Sequence, residues 1–189
     1  MIRLGFLVGL FVAGAAGAGA AFAAGADASS GTWQKHQYSF VAMSFTSTYS
    51  CEGLADKLKI LLLAAGARPD AKAQGAACSR GFGQVDKLAR AELTFYTLVP
   101  ETDAKAGEGE RADGSWRPVT LTAHSPRELG VGDCELVDQF RAQVLPMFAT
   151  RDVSNQTTCV PHQDSGSLIN LKFEAFAAVP AKPQAARAN

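Results

Sequence analysis

Residues 51–66 read CEGLADKLKILLLAAG, and the leucines in this stretch decide the fold class. Leu54, Leu58, Leu61, Leu62 and Ala65 fall at i, i+4, i+7, i+8 and i+11, which is one face of a helix. Ser50 stands where an N-cap is needed, Glu52 suits the positive first turn, and Gly66 suits the C-terminal cap. A helix with one apolar stripe must bury it against a second layer. That layer is written on both sides of the helix. Residues 37–45, QYSFVAMSF, mix aromatic and β-branched residues with small polar ones, as a strand does. Residues 71–78, AKAQGAAC, read as a short strand ending in a cysteine. Ala91, Leu93 and Phe95 then alternate with Arg90, Glu92 and Thr94, the pattern of a half-buried antiparallel strand.

The same order returns further along the chain, the signature of an internal repeat. Trp33 lies 18 residues before Cys51, and Trp116 lies 18 residues before Cys134. Each of these cysteines is followed by glutamate, Glu52 and Glu135. The next cysteine, Cys78 or Cys159, comes 27 or 25 residues later. Arg68 and Asp70 precede Cys78 much as Arg151 and Asp152 precede Cys159, and Val99-Pro100 and Val179-Pro180 close the two copies. The second copy has its own strand at 118–124, a helical stripe of Val137, Phe140, Val144 and Phe148, a short strand at 153–159, and a last strand in which Ile169, Leu171, Phe173 and Ala175 alternate with Asn170, Lys172 and Glu174. Asp133 takes the capping place of that helix, and Pro146 is expected to kink or shorten it, because proline removes a backbone bond. The expected fold is α+β: two β-α-β-β repeats with both helices on one face of one antiparallel sheet, or alternatively two small independent domains.

The segments outside the repeats have their own signatures. Residues 1–26 hold no acid and one base, Arg3, with an apolar run followed by Ala/Gly and small-x-small cleavage points, as in a secretory signal peptide. A retained membrane anchor is the weaker reading, since a span needs roughly 20 strongly apolar residues. The first repeat then covers 27–100, with 27–32 a frayed start. Residues 101–115, ETDAKAGEGERADGS, lack large apolar side chains and read as a mobile linker loop. The second repeat covers 116–180, and 181–189 reads as a disordered tail.

An even count of four cysteines in an exported chain reads as two disulfides. Three pairings are possible. A duplicated unit carrying its own bridge favours Cys51–Cys78 and Cys134–Cys159, although crossed pairings also respect the symmetry. Each favoured bridge closes a loop worth roughly 3.5 kcal/mol in the chain-entropy picture.

Chemistry is sparsely marked. With 18 basic and 18 acidic residues the formal charge is zero, so no basic footprint points to nucleic acid. His36, His124 and His162 occupy non-equivalent places in the repeat and lack metal-ligand spacing, so neither a metal nor a cofactor is indicated. The cluster Asp164-Ser165-Gly166-Ser167 beside His162 lacks a nucleophile elbow and reads as a loop between strands. Gly81-Phe82-Gly83 lacks the third glycine of a dinucleotide fingerprint and reads as a turn. Glu92 and Glu174 could form a carboxylate pair for glycoside hydrolysis, but strand carboxylates are more often simply solvated. Asn155-Gln156-Thr157 is a glycosylation sequon, meaningful only in a eukaryotic secretory pathway.

Cys51-Glu52-Gly53-Leu54, continuing through Gly66-Ala67-Arg68 to Cys78, resembles a stretch of uncharacterised exported proteins of proteobacteria. The resemblance covers mainly the first repeat. It implies a periplasmic or secreted location, and it carries no activity and no functional residue. The expected function is a non-catalytic binding or interaction module of the bacterial envelope, its partner a protein or envelope component, with no membrane span once the signal is removed. A small secreted hydrolase is the alternative. If both helices cover one sheet face, the other is left open, and the last strands set Arg90, Glu92, Thr94 and Tyr96 beside Asn170, Lys172, Glu174 and Phe176 on it. Tyr96 and Phe176 would serve as anchors for a partner, and the 101–115 loop could fold over it. A merely solvated face and a homodimer contact are the competing readings.

Overall fold

The leucine stripe forms the helix it predicts. In the structure, a computed structural model describing residues 29–45, 49–77, 83–86, 88–103, 107 and 109–179, helix α1 runs Cys51–Ala64. The Ser50 side chain accepts from the Gly53 N–H at 3.0 Å, capping the start. At the other end Gly66 has φ +95°, its N–H reaches the Leu63 carbonyl, and the Ala67 N–H reaches that of Leu62. This is a Schellman closure, and the left-handed turn asks for glycine. Strands β1 (Ser29–Val41) and β2 (Tyr49–Ser50) precede α1. After it come β3 (Lys72–Gly75), β4 (Val85–Asp86), β5 (Arg90–Pro100), β6 (Arg111–Thr122), α2 (Cys134–Gln143), β7 (Thr150–Asn155) and β8 (Asn170–Ala178). Six strands form one antiparallel sheet in the order β3-β5-β1-β6-β8-β7, while β2 and β4 pair separately. The expected signal segment 1–26, Cys78 and the tail 181–189 lie outside the described residues.

Both helices bury their stripes in one cluster. Leu54, Leu58, Leu61 and Leu62 from α1 meet Leu136, Val137 and Phe140 from α2, over Phe40, Leu93, Phe95, Leu121, Leu171 and Phe173 of the sheet. The helix ends cross between the two halves of the sheet. Gly66, after α1, lies against Ala175 and Ala177 of β8. Tyr38 on β1 donates to Gln143 at the end of α2. As expected, α2 is short: it stops before Pro146, and a 3-10 turn, Leu145–Met147, replaces its last turn. Cys134 and Cys159 are joined in a disulfide.

Several readings differ from expectation, and the short strands expected at 71–78 and 153–159 run Lys72–Gly75 and Thr150–Asn155. Residues 29–32 are not frayed but belong to β1, and Arg111–Ser115 belong to β6 rather than to the linker. They pair with each other, residues 29–32 against 111–114, so these small polar residues gain from each other the order that propensity does not give them. Residues 42–45 leave the sheet. Gln139 accepts from the Met43 N–H at 3.0 Å, and Glu135 accepts from the Phe45 N–H at 2.7 Å and from the Ser44 hydroxyl. Two α2 side chains thus take backbone bonds that a strand would have used. Finally, Asp133 does not cap α2 with its side chain. Its carboxylate turns back to accept from the Gly130 N–H at 2.7 Å, the Tyr49 hydroxyl at 2.7 Å and the Lys57 ammonium at 2.7 Å. Lys57 also donates to the Glu128 carbonyl. This buried carboxylate pins α1 to the turn that opens α2.

Leu58 and Phe140 are both fully buried at 0% exposure. Leu58→Ala is expected to destabilise by about 2–5 kcal/mol. Urea unfolding of the two proteins checks it; a loss below about 0.5 kcal/mol, within the range of surface changes, would mean that the helix does not pack as described.

Candidate binding face

Among the described residues the sheet's other side carries no helix, and its residues follow from strand alternation. Trp33 and Lys35 come from β1, Arg90, Glu92, Thr94, Tyr96 and Leu98 from β5, Trp116 from β6, and Lys172, Glu174 and Phe176 from β8. At its centre β1 and β6 carry Gly31 and Gly114. A Cβ on Gly31 would lie 2.7 Å from the Phe176 ring and 2.9 Å from Leu98; one on Gly114 would lie 2.5 Å from that ring and 2.6 Å from Leu98. Two large side chains from flanking strands therefore close over two glycines, and both are buried, at 2% and 0% exposure.

On each side of this closure an arginine lies over aromatic rings. The Arg68 guanidinium carbon stands 3.7 Å from the Tyr96 ring centroid and 5.6 Å from that of Trp33. Arg68 pairs with Asp70 at 2.8 Å and Glu110 at 2.9 Å. Hydrogen bonding from Arg68 holds the Asp70 carboxyl below its ordinary range, and Asp70 in turn raises the guanidinium further. Across the sheet, Arg151 stands 4.4 Å from the Trp116 centroid and pairs with Glu174, while Trp116 tilts against Phe176 with centroids 5.5 Å apart. Trp33 and Trp116 stay half-buried. Planar guanidinium on an aromatic face is a cation–π contact.

The six residues expected to bind a partner all lie on this face, but not as imagined. Arg90, Glu92 and Lys172 are exposed, and Tyr96 and Glu174 are half-buried. Phe176 is buried, so it is a packing residue of the face and not a solvent-facing anchor. The β5 and β8 rows do not run side by side, because β1 and β6 stand between them. Nor is the centre open: Leu98 and Phe176 cover it. The Trp33 N–H donates to the Glu110 carbonyl at 2.8 Å and Gly109 lies against the Trp33 carbonyl, so the end of the linker runs beside the Trp33 main chain. The sequence did mark the principal residues in another way. Trp33, Trp116, Arg68 and Arg151 were legible as spacing landmarks, and all four converge here.

The enzymatic alternatives meet specific geometry. Glu92 pairs with Ser39, far along β1 from the β1–β6 ladder, and Glu174 pairs with Pro118 beyond the other end of that ladder, so the two carboxylates stand well past the separation a glycosidase pair uses, and Glu174 is paired with Arg151. Ser167 donates to the Gln163 carbonyl at 3.1 Å and accepts from the Val160 N–H at 2.9 Å, closing the loop between β7 and β8. His162 packs edge-on against Phe45. His124 lies in the turn after β6 at φ +68°. Among the described residues no group of three His, Cys, Asp or Glu could hold a metal.

His36 sits on the helix side, 2.9 Å from the Thr97 hydroxyl. This is nucleophile-to-base distance. However, Thr97 is 1% exposed and donates its one hydroxyl hydrogen to the Met147 carbonyl at 3.1 Å. The Thr97 oxygen therefore accepts from His36 Nε2–H, which leaves Nδ1 with the lone pair. The chain His36–Thr97–Met147 ties β1 and β5 to the turn after α2. The Glu52 carboxyl, at the start of α1, is held below its ordinary range by its own backbone N–H and then by that of Gly83. It fastens a loop, as Glu135 does.

Burial pushes the His36 imidazole below its ordinary value of 6.5. The unfolded chain therefore takes up this proton at higher pH than the folded chain. The stability contributed by neutral His36 is whole above pH 6.5 and is lost as pH falls below it. Urea midpoints measured at about pH 7.5 and about pH 5.5 should fall less in His36→Gln than in the parent. An equal fall in both proteins would show that His36 does not titrate against folding.

Comparison with known protein families, with curated proteins and with solved structures finds no match to this chain.

Proposed function

We propose that the chain is an exported binding module of the bacterial envelope, built from two β-α-β-β copies, that takes a protein or other envelope component on the helix-free face. The carrying observation is the pair of half-exposed arginine–tryptophan contacts, on a face that also carries the exposed charges of Arg90, Glu92 and Lys172. Aromatic groups with a charged partner already in place suit recognition, since less side-chain freedom is lost on binding. Duplication is supported by register. Trp33 and Trp116, Cys51 and Cys134, and Arg68 and Arg151 are each 83 residues apart. Ser30 and Asp113, one of the two inner pairs of the β1–β6 ladder, are also 83 apart, so an axis exchanging the copies would pass between them. Export is supported by the signal-like 1–26 segment and by the Cys134–Cys159 bridge, which suits an oxidising compartment. No described helix is long and apolar enough to cross a membrane.

Charge reversal at exposed positions tests the face without touching its packing. Arg90→Glu with Lys172→Glu should reduce capture of partners from envelope extract on the order of fivefold, a loss of about 1 kcal/mol, with the thermal midpoint unchanged. Equal capture by both proteins would exclude this face. For the duplicated, stapled architecture, non-reducing peptide mapping should recover Cys51 joined to Cys78 alongside Cys134–Cys159. An alkylated Cys51 thiol would remove the first copy's staple.

A further inference from the structure

The two arginines of the helix-free face differ in what their guanidinium groups have left to donate. Every nitrogen of Arg68 is engaged. Its Nε and Nη2 donate to the two Asp70 oxygens at 2.8 Å, and its Nη1 donates to Glu110 at 2.9 Å. Arg151 donates through Nε to Glu174 and lies over Trp116, and no described residue accepts from its two Nη groups. Its side chain is 51% exposed, against 23% for Arg68. Asp152, next in the chain, is exposed and makes no bond to it.

The sequence accounts for the difference. Two residues after Arg68 stands Asp70, and two residues after Arg151 stands Val153. Along the sheet, Trp33 lies opposite Leu98, and the next pair on that side is Lys35 with Tyr96. Trp116 lies opposite Phe176, and the next pair is Pro118 with Glu174. The second arginine thus has a carboxylate where the first has a ring, and lacks the acid that closes the other's fork. Lys172, two residues along β8 from Glu174 and on the same side, is an exposed cation with no partner among the described residues. Two parallel N–H groups on a planar guanidinium match the two oxygens of a carboxylate. We propose that Arg151 is the group through which this face takes an acidic side chain of a protein partner, its carboxylate on the two Nη groups beside Trp116. Arginine and tryptophan are the residue types that carry most protein–protein contacts. The station is open, so a carboxylate carried on a larger body, which also meets Trp116 and Lys172, gains more than a small anion touched on one side. This assignment rests on the helix-free face being the binding face, and adds the chemistry that the partner brings.

Solution NMR of the full chain tests it, read at the side-chain N–H signals of Arg151 and Trp116, with Arg68 and Trp33 as the internal reference. The probes are the acetylated, amidated peptide Gly-Glu-Gly-Glu-Gly, its glutamine twin and sodium glucuronate, at matched ionic strength. The glutamate peptide should shift Arg151 and Trp116 saturably in the millimolar range and leave Arg68 and Trp33 nearly unmoved. The glutamine twin should bind about fivefold more weakly, and Arg151→Lys, which keeps the charge and loses the fork, should weaken the glutamate peptide about threefold, the scale of an exposed ion pair. Equal shifts by the two peptides, or shifts at Arg68 and Trp33 as large as those at Arg151 and Trp116, would overturn the site. So would an unweakened Arg151→Lys with an intact spectrum; the peptide comparison needs no variant. Glucuronate binding as tightly as the glutamate peptide would overturn the protein source in favour of a sugar acid. The titration needs no natural partner, so its failure leaves the capture result at Arg90 and Lys172 standing, and the two readings fail separately.

Discussion

Residues 29–32 and 111–114 form a ladder of four pairs at the middle of the sheet, and at two of its positions only hydrogen fits where a side chain would stand. Gly31 and Gly114 let Leu98 and Phe176 reach across from the flanking strands and meet over the seam. Because that seam is continuous, residues 29–100 and 111–179 share one sheet and one core. Because it is closed by two large side chains, the helix-free face has a dry centre. The half-exposed tryptophans are thereby moved to either side, under their arginines. Larger residues at the two glycines would force apart either the ladder or the ring and leucine above it.

A second junction of different chemistry stands on the other side of the sheet. Asp133, 5% exposed, gathers Lys57, Tyr49 and the Gly130 N–H. A buried carboxylate stripped of such partners costs several kcal/mol, whereas the complete set is close to neutral against an apolar replacement. The arrangement therefore favours one geometry of α1 against α2 more than it adds stability.

What was legible in the sequence had strong local signals. The leucine stripe of α1, its Ser50 and Gly66 caps, the alternation of β5 and β8, and the stop at Pro146 were each written in residue type. What was missed depends on partners far away in the chain. Residues 29–32 are strand because 111–114 lie beside them, and 42–45 are not strand because Glu135 and Gln139 hold their backbone. Asp133 has the type and place of an N-cap, but Lys57, 76 residues away, claims it. On the face opposite the helices, alternation identified the correct side for Phe176 and could not reveal the glycines beneath it. The landmarks Trp33, Arg68, Trp116 and Arg151 were visible as spacing, while their stacking required the strand order.

The sheet's two margins also constrain how it meets other molecules. At one end β3 offers only four residues, among them Lys72. At the other, β7 slips register between Arg151 and Ser154, with Asp152 turned to φ +53°, so its outer rim is crooked as well as charged. Short, charged or bulged rims resist the sideways addition of another strand. This protects a sheet with one described face free of helices from growing into fibrils or capturing unfolded chains. It also separates edge from face: side chains on the flat side can vary without opening a route to aggregation.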